Sequence, residues 1–555
     1  MTIPIANPPY GPPARSAPTT SRREVTAPRV ARWRLRLLGY GVAQVVLMQL
    51  LLAAVLPGNL RLFSLQLWCV SLVFLGATPV IAGLIQNALI GLNRFRIRYD
   101  RLRPFYPRTT IIVPAWNEAA VIGMTITHLL GMEYPDDRLR VIVVDDASTD
   151  DTPAIVQAHS SADARVVHIR REQGGQGKSH TLNAGLARAL ADDWAEAVLI
   201  MDADVLFERD ALRKMTRHFS DPTVGAVTAY IKEGSRPGNY LSRFIAYEYI
   251  SAQAASRRAQ NALGALACLA GGAQLHTRAS LEAAGGRIDT STHAEDTVTT
   301  FSTQLSGRRV VFEGNATVWA EEPHDLRSLW KQRLRWARGN VQVSLQFASL
   351  WGRTRGLSRL GSLPFALIWF TVLLMPILMF GSSVGLIVLF FIGRATAWSV
   401  FSVLWIWHAV AFVFGMLMMY AVDPKAMRRS WIQAILFPGV VSLLVMAYSV
   451  YPPLFTVHAV HALDLLGITV NAMARSVLTL FMYAWLFVCM PLAYAAKRWE
   501  GTKRFRWLAP ATIYVVGFGP FLCAVTFASY INEIFNTRSV WDKTIKSGGI
   551  AMGDV

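Results

Sequence analysis

Cysteine and charged side chains are scarce in this sequence. Its 555 residues include four cysteines, which lie far apart in apolar surroundings and form neither a Cys-x-x-Cys pair nor a Cys/His cluster with metal-ligand spacing. We therefore expect buried free thiols and no cysteine-ligated metal. Charged residues make up only 16% of the chain and hydrophobic residues 53%, which favours a membrane protein over a soluble domain.

Acidic residues are few in comparison with basic ones. Asp and Glu number 36 against 55 Lys and Arg, which gives a formal net charge of +19. The basic residues are not gathered on one arm or face, so a nucleic-acid partner is not expected. They flank apolar stretches instead: Arg32, Arg34 and Arg36; Arg94 and Arg96; Arg428 and Arg429; Lys497, Arg498, Lys503 and Arg504. This distribution is typical of the cytosolic borders of membrane-spanning helices.

The N-terminal segment lacks the apolar run that follows the basic start of a cleaved signal peptide. Residues 1–30, rich in Pro, Ala, Thr and Arg, are predicted to form a disordered basic tail in the cytosol. No repeat of fixed period is evident, and the apolar segments are not arranged as the matching halves of an inverted-repeat transporter. The length exceeds what one ordinary core accommodates, so at least two structural units are expected.

Apolar runs long enough to cross a bilayer occur on both sides of a more polar central region. The predicted spans are Leu37–Pro57, Phe63–Leu92, Leu363–Ile392, Thr396–Val422, Trp431–Val450, Arg475–Ala496 and Leu508–Tyr530. The chain therefore divides into a basic tail (1–30), two N-terminal transmembrane helices (31–96), a cytosolic domain (97–345), an interfacial segment (346–362), C-terminal transmembrane helices, about five in number (363–532), and a C-terminal tail (533–555).

The predicted crossings also fix the sides of the membrane. They place the basic loops 423–430 and 497–507 on the side of the central domain and the C-terminus on the opposite side. Residues Tyr451–Ala474 are expected to form an outer loop or an interfacial helix.

The central region alternates short β-branched runs with stretches of helical character. The runs are Thr109–Pro114, Arg140–Asp145, Arg165–Ile169 and Val198–Met201. This alternation predicts an α/β domain with a doubly wound, mostly parallel sheet, inserted between transmembrane helices. Ligands of such sheets bind at the carboxyl ends of the strands.

Polar residues follow two of these predicted strands. Val113–Glu118 reads Val-Pro-Ala-Trp-Asn-Glu, and Val143–Asp150 reads Val-Val-Asp-Asp-Ala-Ser-Thr-Asp. Carboxylates at these strand ends can accept hydrogen bonds from a ribose or a base. The alternative for Asp145 and Asp146 is a turn that caps a helix.

A glycine-rich turn in Gly174–Leu186 leads into a helix, with Lys178 beside it. The turn lacks the Gly-x4-Gly-Lys-Ser/Thr spacing of a P-loop, so a nucleoside triphosphatase is disfavoured. Lys178 is predicted to be a cation for a diphosphate, and the alternative is a solvated lysine at a helix start.

Two carboxylates stand at alternate positions just beyond a strand, in Leu199–Leu206. Side chains at i and i+2 of an extended segment point the same way, so Asp202 and Asp204 can meet one hard cation through oxygen ligands. Mg²⁺ or Mn²⁺ bound there would neutralise charge on a diphosphate leaving group. The sequence therefore predicts a divalent-metal site.

Two further motifs, His293–Asp296 and Gln332–Trp336, complete a pattern that resembles the family 2 glycosyltransferases. The resemblance covers about residues 109–345 and is closest to the processive membrane branch of cellulose, chitin, hyaluronan and poly-N-acetylglucosamine synthases. It implies a GT-A-type nucleotide-sugar domain, an inverting transfer from a UDP-sugar, and Mg²⁺ or Mn²⁺ as cofactor.

The resemblance also implies roles for the matching residues. Glu118, Asp145 and Asp146 would hold the nucleoside, Lys178 the diphosphate, and Asp202 and Asp204 the sugar nucleotide and the metal. Asp296 would be the general base, beside Glu295, and Ala294 stands where the family has threonine. Gln332, Arg333, Arg335 and Trp336 would bind substrate, the arginines at the diphosphate and Trp336 at the acceptor. Gly271–Ala273 is similar to the small-residue floor of the acceptor site.

The implied product is a β-linked polysaccharide exported through the protein's own helices. UDP-N-acetylglucosamine is the leading donor, because Leu329–Gly339 is most similar to poly-N-acetylglucosamine synthases. The enzyme would be a multi-pass protein of a bacterial plasma membrane with its catalytic domain in the cytosol and with room for an accessory subunit. Two other functions stay open: transfer of a single sugar to a lipid, and a transporter with a nucleotide-sensing domain.

Two regions near the membrane have alternative interpretations. Arg498–Arg504 resembles a gating segment that closes over the nucleotide in related synthases, and the alternative is a basic border loop. Five amphipathic side chains at membrane depth are candidates either for the polymer path or for helix packing: Trp369, Trp405, His408, Tyr483 and Trp485.

Overall fold

The computed structural model describes residues 3–4, 58–96, 102–352, 359–465, 467, 471–502, 504–535, 537, 549–550 and 552. The predicted tail 1–30 apart from Ile3 and Pro4, the predicted span Leu37–Pro57 and most of the tail 533–555 lie outside these residues. Within the described part, an α/β domain lies between long apolar helices, as the sequence predicts.

One mixed sheet forms the centre of the domain. Its strands are β1 (Ile3–Pro4), β2 (Thr109–Ala115), β3 (Leu139–Asp145), β4 (Val166–Arg170), β5 (Ala197–Ile200), β6 (Val205–Phe207), β7 (Val224–Glu233), β8 (Gln274–Thr277) and β9 (Arg309–Ala320), in the order β1-β4-β3-β2-β5-β8-β7-β9-β6. Strands β4, β3, β2 and β5 are parallel, whereas β8 is antiparallel to both of its neighbours. The parallel half is therefore the doubly wound part, and its carboxyl ends meet at one edge.

The central strands are apolar on both faces because both faces are covered. In β3, Val141 and Val143 join one core and Ile142 and Val144 join the core on the other side of the sheet. Such continuous β-branched runs are typical of parallel strands buried between two layers of helices. The short β-branched runs in the sequence are thus explained by burial of both strand faces. They do not reflect an alternation of buried and exposed positions.

The helices are α1 (Gly58–Leu75), α2 (Thr78–Arg96), α3 (Ile122–Leu130), α4 (Thr152–Ala162), α5 (Lys178–Ala189), α6 (Ala211–Thr216), α7 (Tyr240–Tyr249), α8 (Ser256–Leu263), α9 (Arg278–Ala283), α10 (Glu295–Leu305), α11 (Leu326–Gln346), α12 (Leu363–Ile392), α13 (Arg394–Val422), α14 (Pro424–Arg429), α15 (Trp431–Ile435), α16 (Val440–Val450), α17 (Val460–Leu465), α18 (Ala472–Glu500), α19 (Leu508–Val516) and α20 (Phe518–Ile534). A π-helical segment, Ile250–Ala255, joins α7 to α8.

Helix α5 lies directly on the parallel strands because of one glycine. A Cβ atom on Gly185 would stand 2.6 Å from Cγ2 of Ile112 and 3.0 Å from Cγ2 of Val144, closer than van der Waals contact. Only glycine allows this approach, which fixes the start of α5, and with it Lys178, at the edge where β2 and β3 end.

Four helical stretches in the described residues are long and apolar enough to cross a membrane: Leu62–Asn93, α12, α13 and α18. They agree with the predicted spans that start at Phe63, Leu363, Thr396 and Arg475. The predicted span Trp431–Val450 is instead divided into α15 and α16, and Leu508–Tyr530 is divided into α19 and α20, which meet at 95°.

The two divided helices break where they touch each other. Gly439 and Gly517 both have positive φ, and a Cβ on Gly439 would stand 2.3 Å from the carbonyl carbon of Val516. Pro438 precedes Gly439 and cannot donate a backbone hydrogen bond to continue the helix. The breaks therefore stabilise each other through a backbone contact that the hydropathy of either segment alone does not reveal.

The bent pair α19–α20 begins and ends beside the same helix. Glu500, before α19, accepts a hydrogen bond from the backbone N–H of Arg327 at 3.2 Å, and Glu533, in α20, pairs with Arg338 at 2.6 Å. Both partners lie on α11, and eleven helical residues span only about 16 Å, roughly half of a hydrocarbon core. Both ends of the bent pair therefore lie beside α11, which is the arrangement of a re-entrant pair.

The C-terminal residues also contact the central domain. The backbone N–H of Arg236 donates to the carbonyl of Gly549 at 2.6 Å, and Ser235 forms an antiparallel bridge with Ile550. The expectation that the C-terminus lies opposite the domain is contradicted by these contacts. A re-entrant α19–α20 pair, bent at Gly517, would remove one predicted crossing and so account for these contacts.

Both predicted basic loops lie against the domain. Asp423, at the start of loop 423–430, pairs with Lys232 at 2.9 Å. Lys497, at the start of loop 497–507, lies 4.4 Å from the ring centroid of Trp330. The segment Tyr451–Ala474 contains α17 and a π-helical turn, Leu454–Ala459, among its described residues.

Candidate active site

A cavity of about 740 Å³ lies at the carboxyl edge of the parallel strands. Its walls come from the ends of β2 and β5, the starts of α5 and α10, the segment Ile250–Leu263, and helix α11. It continues to Gln86 of α2, to Ile368, Trp369 and Val372 of α12, and to Thr526 of α20. The cavity thus joins the domain to the apolar helices.

The cavity brings together all but two of the residues predicted for the site. The predicted residues that line it are Glu118, Asp146, Lys178, Asp202, Asp204, Glu295, Asp296, Gln332, Arg335 and Trp336. Asp145 and Arg333 do not line it.

The turns that follow β2 and β3 are bonded to each other. The backbone N–H of Asn117 donates to Oγ of Ser148 at 2.9 Å, and the N–H of Thr149 donates to Oδ1 of Asn117 at 2.8 Å. Asn117 and Ala147 both have positive φ, at 54° and 56°. A left-handed alanine is disfavoured by its Cβ, so the pair of turns holds a strained backbone beside the cavity.

Of the two adjacent aspartates after β3, only Asp146 faces the cavity. Its Oδ2 accepts a hydrogen bond from the N–H of Gly175 at 3.0 Å, and its Oδ1 pairs with Arg171. Asp145 is fully buried, accepts from the N–H of Ser148 at 2.9 Å and lies 3.1 Å from Arg170. Asp145 thus holds the turn, as in the alternative interpretation, and does not line the cavity, so its role at the substrate stays a prediction.

Lys178 is surrounded by the carboxylates of the site. Its Nζ pairs with Asp202, lies 3.9 Å from Glu295 and donates to the carbonyl of Gly271 at 3.2 Å. Burial lowers the pKa of Lys178, but the carboxylates of Asp202 and Glu295 outweigh burial and hold the pKa above its usual value. Lys178 is therefore a fixed cation, not a solvated helix-start lysine.

Gly271 forms a floor between this lysine and the predicted base. A Cβ atom there would stand 3.3 Å from Oδ2 of Asp296 and 3.4 Å from Nζ of Lys178. At Gly272 an added Cβ would meet Val205 at 3.0 Å. The small residues keep this part of the cavity open, as expected for Gly271–Ala273.

Asp202 and Asp204 both line the cavity, as their alternate spacing predicts. The described residues contain no group of three or more His, Cys, Asp or Glu side chains placed to hold a metal. A pair of carboxylates nevertheless fits Mg²⁺ or Mn²⁺, since Mg²⁺ usually binds one or two carboxylates and completes its shell with phosphate oxygens and waters. The donor set suits a metal that binds together with a diphosphate.

Glu295 and Asp296 occupy the first turn of α10. Oδ1 of Asp296 accepts a hydrogen bond from the N–H of Thr297 at 2.7 Å, which fixes the carboxylate at the helix N-terminus. Burial raises the pKa of Glu295 to about 7; the adjacent Asp296 adds to the rise and Lys178 opposes it. At neutral pH the carboxyl group of Glu295 is therefore partly protonated.

Ala294 is accommodated by a glycine of the neighbouring helix. A Cβ on Gly339 of α11 would stand 2.7 Å from the Cβ of Ala294. The two backbones are in close contact, so the missing threonine side chain is replaced by direct packing of α10 on α11. This contact couples the predicted base to the helix that carries Gln332–Trp336.

Helix α11 presents one face to the cavity. Gln332, Arg335 and Trp336 are spaced i, i+3 and i+4, the spacing of neighbours on one helix face, and all three line the cavity. Arg333 points into the protein, where it is buried and pairs with Glu248 at 2.8 Å, and its guanidinium lies 4.2 Å from the Trp336 ring centroid. Arg333 therefore packs against Trp336 in the structure, and its role at the substrate stays a prediction.

Among the membrane-depth side chains, only one of the five candidates lines the cavity. Trp369 does so, and its Nε1 donates to Oγ of Ser344 at 2.8 Å. Trp405, Tyr483 and Trp485 are buried in helix packing, and Nδ1 of His408 contacts the carbonyl of Leu404 in its own helix at 2.8 Å. Packing accounts for these four in the structure.

Sequence reasoning missed several lining residues, because they lie outside any motif. Gln253, Arg257 and Cys268 come from the segment after α7, and Glu321 and Glu322 follow β9. The only signal was a group of two Arg, two Gln and one Asn among the small and apolar residues of Ser251–Leu263.

The sheet, its strand-end carboxylates and the lysine are those of an α/β nucleotide-sugar domain of the GT-A type, and the fold class predicted from the sequence is confirmed. Residues 107–339 match the model of the family described as "Glycosyltransferase like family 2". This region of the chain is a family 2 glycosyltransferase domain.

The chain is similar to several bacterial glycosyltransferases. It is 32% identical over 244 residues to "Probable glycosyltransferase YdaM" of Bacillus subtilis, covering 43% of this chain and 57% of that protein. It is 33% identical over 243 residues to "Beta-monoglucosyldiacylglycerol synthase" of Synechocystis sp., covering 44% and 50%. It is 29% identical over 239 residues to "Poly-beta-1,6-N-acetyl-D-glucosamine synthase" of Staphylococcus aureus, covering 43% and 55%. The matches thus span only half, or a little more, of these relatives.

Proposed function

We propose that this chain is an inverting, processive glycosyltransferase that extends a β-linked polysaccharide from a UDP-sugar and exports it through its own helices. The observation that carries the proposal is the continuity of the cavity. It leads from Lys178 and the strand-end carboxylates past Asp296 to the apolar helices α12 and α20. The similarity to bacterial glycosyltransferases supports the class of reaction.

The donor would bind at the carboxyl ends of β2, β3 and β5. Asp202 and Asp204 would hold Mg²⁺ or Mn²⁺, which supplies positive charge to the diphosphate when bound. Lys178 and Arg335 add fixed positive charge to the same leaving group. The nucleoside would lie against Glu118 and Asp146.

The transfer needs one base. Asp296 would accept the proton of the acceptor hydroxyl, whose oxygen bonds to the anomeric carbon of the donor. The bond from that carbon to the diphosphate oxygen breaks, and UDP leaves with the electron pair. Attack from the side opposite UDP inverts the anomeric centre, so no second catalytic carboxylate is required. Burial raises the pKa of the neighbouring Glu295.

The acceptor would enter from the other end of the cavity. Trp336 offers an aromatic face to an acceptor sugar, and the path continues along Trp369 and Thr526. UDP-N-acetylglucosamine is the proposed donor, in keeping with the similarity to "Poly-beta-1,6-N-acetyl-D-glucosamine synthase". The protein would lie in a bacterial plasma membrane with its catalytic domain in the cytosol, and an accessory subunit is compatible with this arrangement.

Transfer of a single sugar to a lipid is the second candidate. The membrane end of the cavity includes apolar side chains of α12, Ile368, Val372 and Leu373, that suit an acyl chain. The similarity to "Beta-monoglucosyldiacylglycerol synthase" favours the same alternative. A chain of many sugars in the product would exclude it.

The test is to incubate the purified full-length protein with a panel of nucleotide sugars plus Mg²⁺ or Mn²⁺ and to size the product, with Asp296→Asn as the control. We expect long chains from UDP-N-acetylglucosamine and none from the variant. Single-sugar lipid products would favour the second candidate. If no donor gives transfer or hydrolysis, that result contradicts both transferase candidates and favours a nucleotide-sensing transporter.

A further inference from the structure

One wall of the cavity carries polar side chains that the donor site does not use. The π-helical segment Ile250–Ala255 runs into α8, and Gln253, Ser256, Arg257 and Gln260 of this stretch line the cavity. A π-helical segment inside a helix is uncommon and is frequently found at functional sites. This wall therefore needs an explanation other than donor binding.

Among the described residues, Arg257 is a buried cation that forms no ion pair with a carboxylate. Arg257 is 7% exposed, and its Nη1 has no hydrogen-bond partner in the part of the chain that the structure describes. The other buried cations at the site are paired, Lys178 with Asp202 and Arg333 with Glu248. A buried donor left without an acceptor destabilises the empty protein, so a bound group is expected to satisfy it.

The charge of Arg257 is correspondingly under-compensated. Burial lowers the pKa of Arg257 below its usual value, and Cys268 and Asp296 only partly oppose this effect. Arg257, Lys178 and Asp296 all line the same cavity.

Gln253 supplies the complementary group. Its Oε1 is buried and has no hydrogen-bond partner among the described residues. It precedes Arg257 by four residues on the same helical stretch, and both side chains face the cavity. The wall therefore offers one hydrogen-bond donor and one acceptor side by side. A simple anion would satisfy Arg257 but not Oε1, and it would be repelled by Asp296.

We propose that Gln253 and Arg257 form an acceptor subsite that binds a substituent of the acceptor saccharide able both to accept and to donate a hydrogen bond. An acetamido group does so through its carbonyl and its N–H, and a hydroxyl group does so through one oxygen. This inference rests on the proposed transferase function. It assigns the subsite to the sugar that is positioned for attack beside Asp296, so the two residues select the acceptor and not the donor.

The test uses the purified full-length protein, labelled UDP-N-acetylglucosamine and a β-1,6-linked N-acetylglucosamine pentamer as the soluble acceptor probe. Transfer is measured against the concentration of each substrate. Hydrolysis of the donor without the pentamer is measured separately, because it does not need the acceptor. The variants are Gln253→Leu, Arg257→Met and Arg257→Lys, with Arg243→Met, an exposed position of α7, as the matched control.

We expect Gln253→Leu and Arg257→Met each to raise the KM for the pentamer about tenfold or more, the equivalent of one lost hydrogen bond to a charged or buried group. The KM for the donor and the rate of hydrolysis should change less than about twofold, and the control should match the wild type. In the double variant the fold increase in the KM for the pentamer should be smaller than the product of the two single increases, because both residues bind one substituent. A glucose pentamer lacks the acetamido group. If that group is the ligand, the two substitutions should raise the KM for the glucose pentamer less than the KM for the N-acetylglucosamine pentamer. If a hydroxyl group is the ligand, they should raise both KM values equally.

Two results would overturn the subsite. One is an unchanged KM for the pentamer in both variants, and the other is an equal loss of transfer and donor hydrolysis, which would mean that the residues only support the fold. If Arg257→Met does not fold, the KM for the pentamer in Gln253→Leu and Arg257→Lys tests the subsite instead. A wild-type protein that transfers no sugar to any saccharide would contradict the proposed function itself, which is a different result from wild-type transfer with unaffected variants.

Discussion

Substitution of Arg333 distinguishes a supporting residue from a substrate ligand. Arg333→Met would remove a guanidinium that is 5% exposed, makes hydrogen bonds of 3.1 and 2.8 Å to Glu248, and lies 3.9 Å from Glu322. Burial alone would lower the pKa of Arg333, but these carboxylates hold the pKa above its usual value. The variant leaves the half-buried Glu248 and the buried Glu322 without their cation.

The expected cost follows from that geometry. Breaking a buried ion pair by removing one partner destabilises a protein by about 3–5 kcal/mol. For a domain of this size each kcal/mol shifts the Tm by about 2–4 °C, so the predicted fall is about 6–20 °C. The second substitution Glu248→Gln should restore part of the loss, since it removes one of the stranded charges. Folded Arg333→Met should keep its KM for the donor within about twofold.

The assay combines thermal unfolding of the purified protein with donor kinetics at a temperature below both transitions. Arg335→Met is the matched comparison, because Arg335 lies two residues away on the cavity face. It should leave the Tm nearly unchanged and weaken transfer. A normal Tm for Arg333→Met together with a tenfold rise in donor KM would refute the assignment and restore Arg333 to the substrate site.

Four further predictions test the site and the topology. Asp296→Asn keeps the shape and the hydrogen bond from Thr297 but not the basicity, so transfer should fall by about 10² or more while UDP binding persists; normal transfer would contradict the base. Excess chelator should abolish transfer and Mg²⁺ or Mn²⁺ should restore it, and Asp204→Asn should raise the metal concentration needed; full activity in chelator would remove the metal. The pKa of Glu295 is raised to about 7, so its stabilising contribution is complete below the unfolded pKa of 4.5 and is lost as the pH rises through 7; the Tm of the wild type should therefore fall relative to Glu295→Gln between pH 5.5 and 8.5, and parallel curves would contradict the shift. Single cysteines at Ile550 and Thr502 should be labelled from the same side of sealed vesicles, and labelling from opposite sides would contradict the re-entrant pair.

The sequence predicted the parallel half of the sheet because its physical cause is local. Strands buried on both faces must be apolar throughout, and β3 shows this directly in its run from Val141 to Val144. Carboxylates placed immediately after such strands reach the cavity through the topology alone. Asp146, Asp202 and Asp204 were therefore predictable without knowledge of any tertiary contact.

The orientation of two predicted site residues depended on contacts that the sequence does not show. Asp145 and Asp146 are adjacent in a turn, and the hydrogen bond from Ser148 to Asp145 decides which of them lines the cavity. Helical spacing places Arg333 off the face of Gln332, Arg335 and Trp336, and its partner Glu248 is 85 residues away. A motif matched by residue type cannot separate these neighbours.

The broken helices and the polar wall were beyond prediction for a similar reason. Hydropathy identified Leu508–Tyr530 as one apolar run, whereas its break depends on the contact of Gly517 with the segment before Val440. Oε1 of Gln253 and Nη1 of Arg257 are unsatisfied because the surrounding fold removes water and, in the part of the chain that the structure describes, provides no partner. Both features belong to tertiary structure.

The central claim is that one cavity couples sugar transfer to export of the product. It is tested most directly with the full-length protein in sealed vesicles whose catalytic domains face outward, supplied with UDP-N-acetylglucosamine and a divalent metal, followed by an added glycosidase that cannot cross the bilayer. The account predicts long saccharide chains that are protected inside the lumen. Polymer fully accessible outside the vesicles, or only lipids bearing a single sugar, would contradict it.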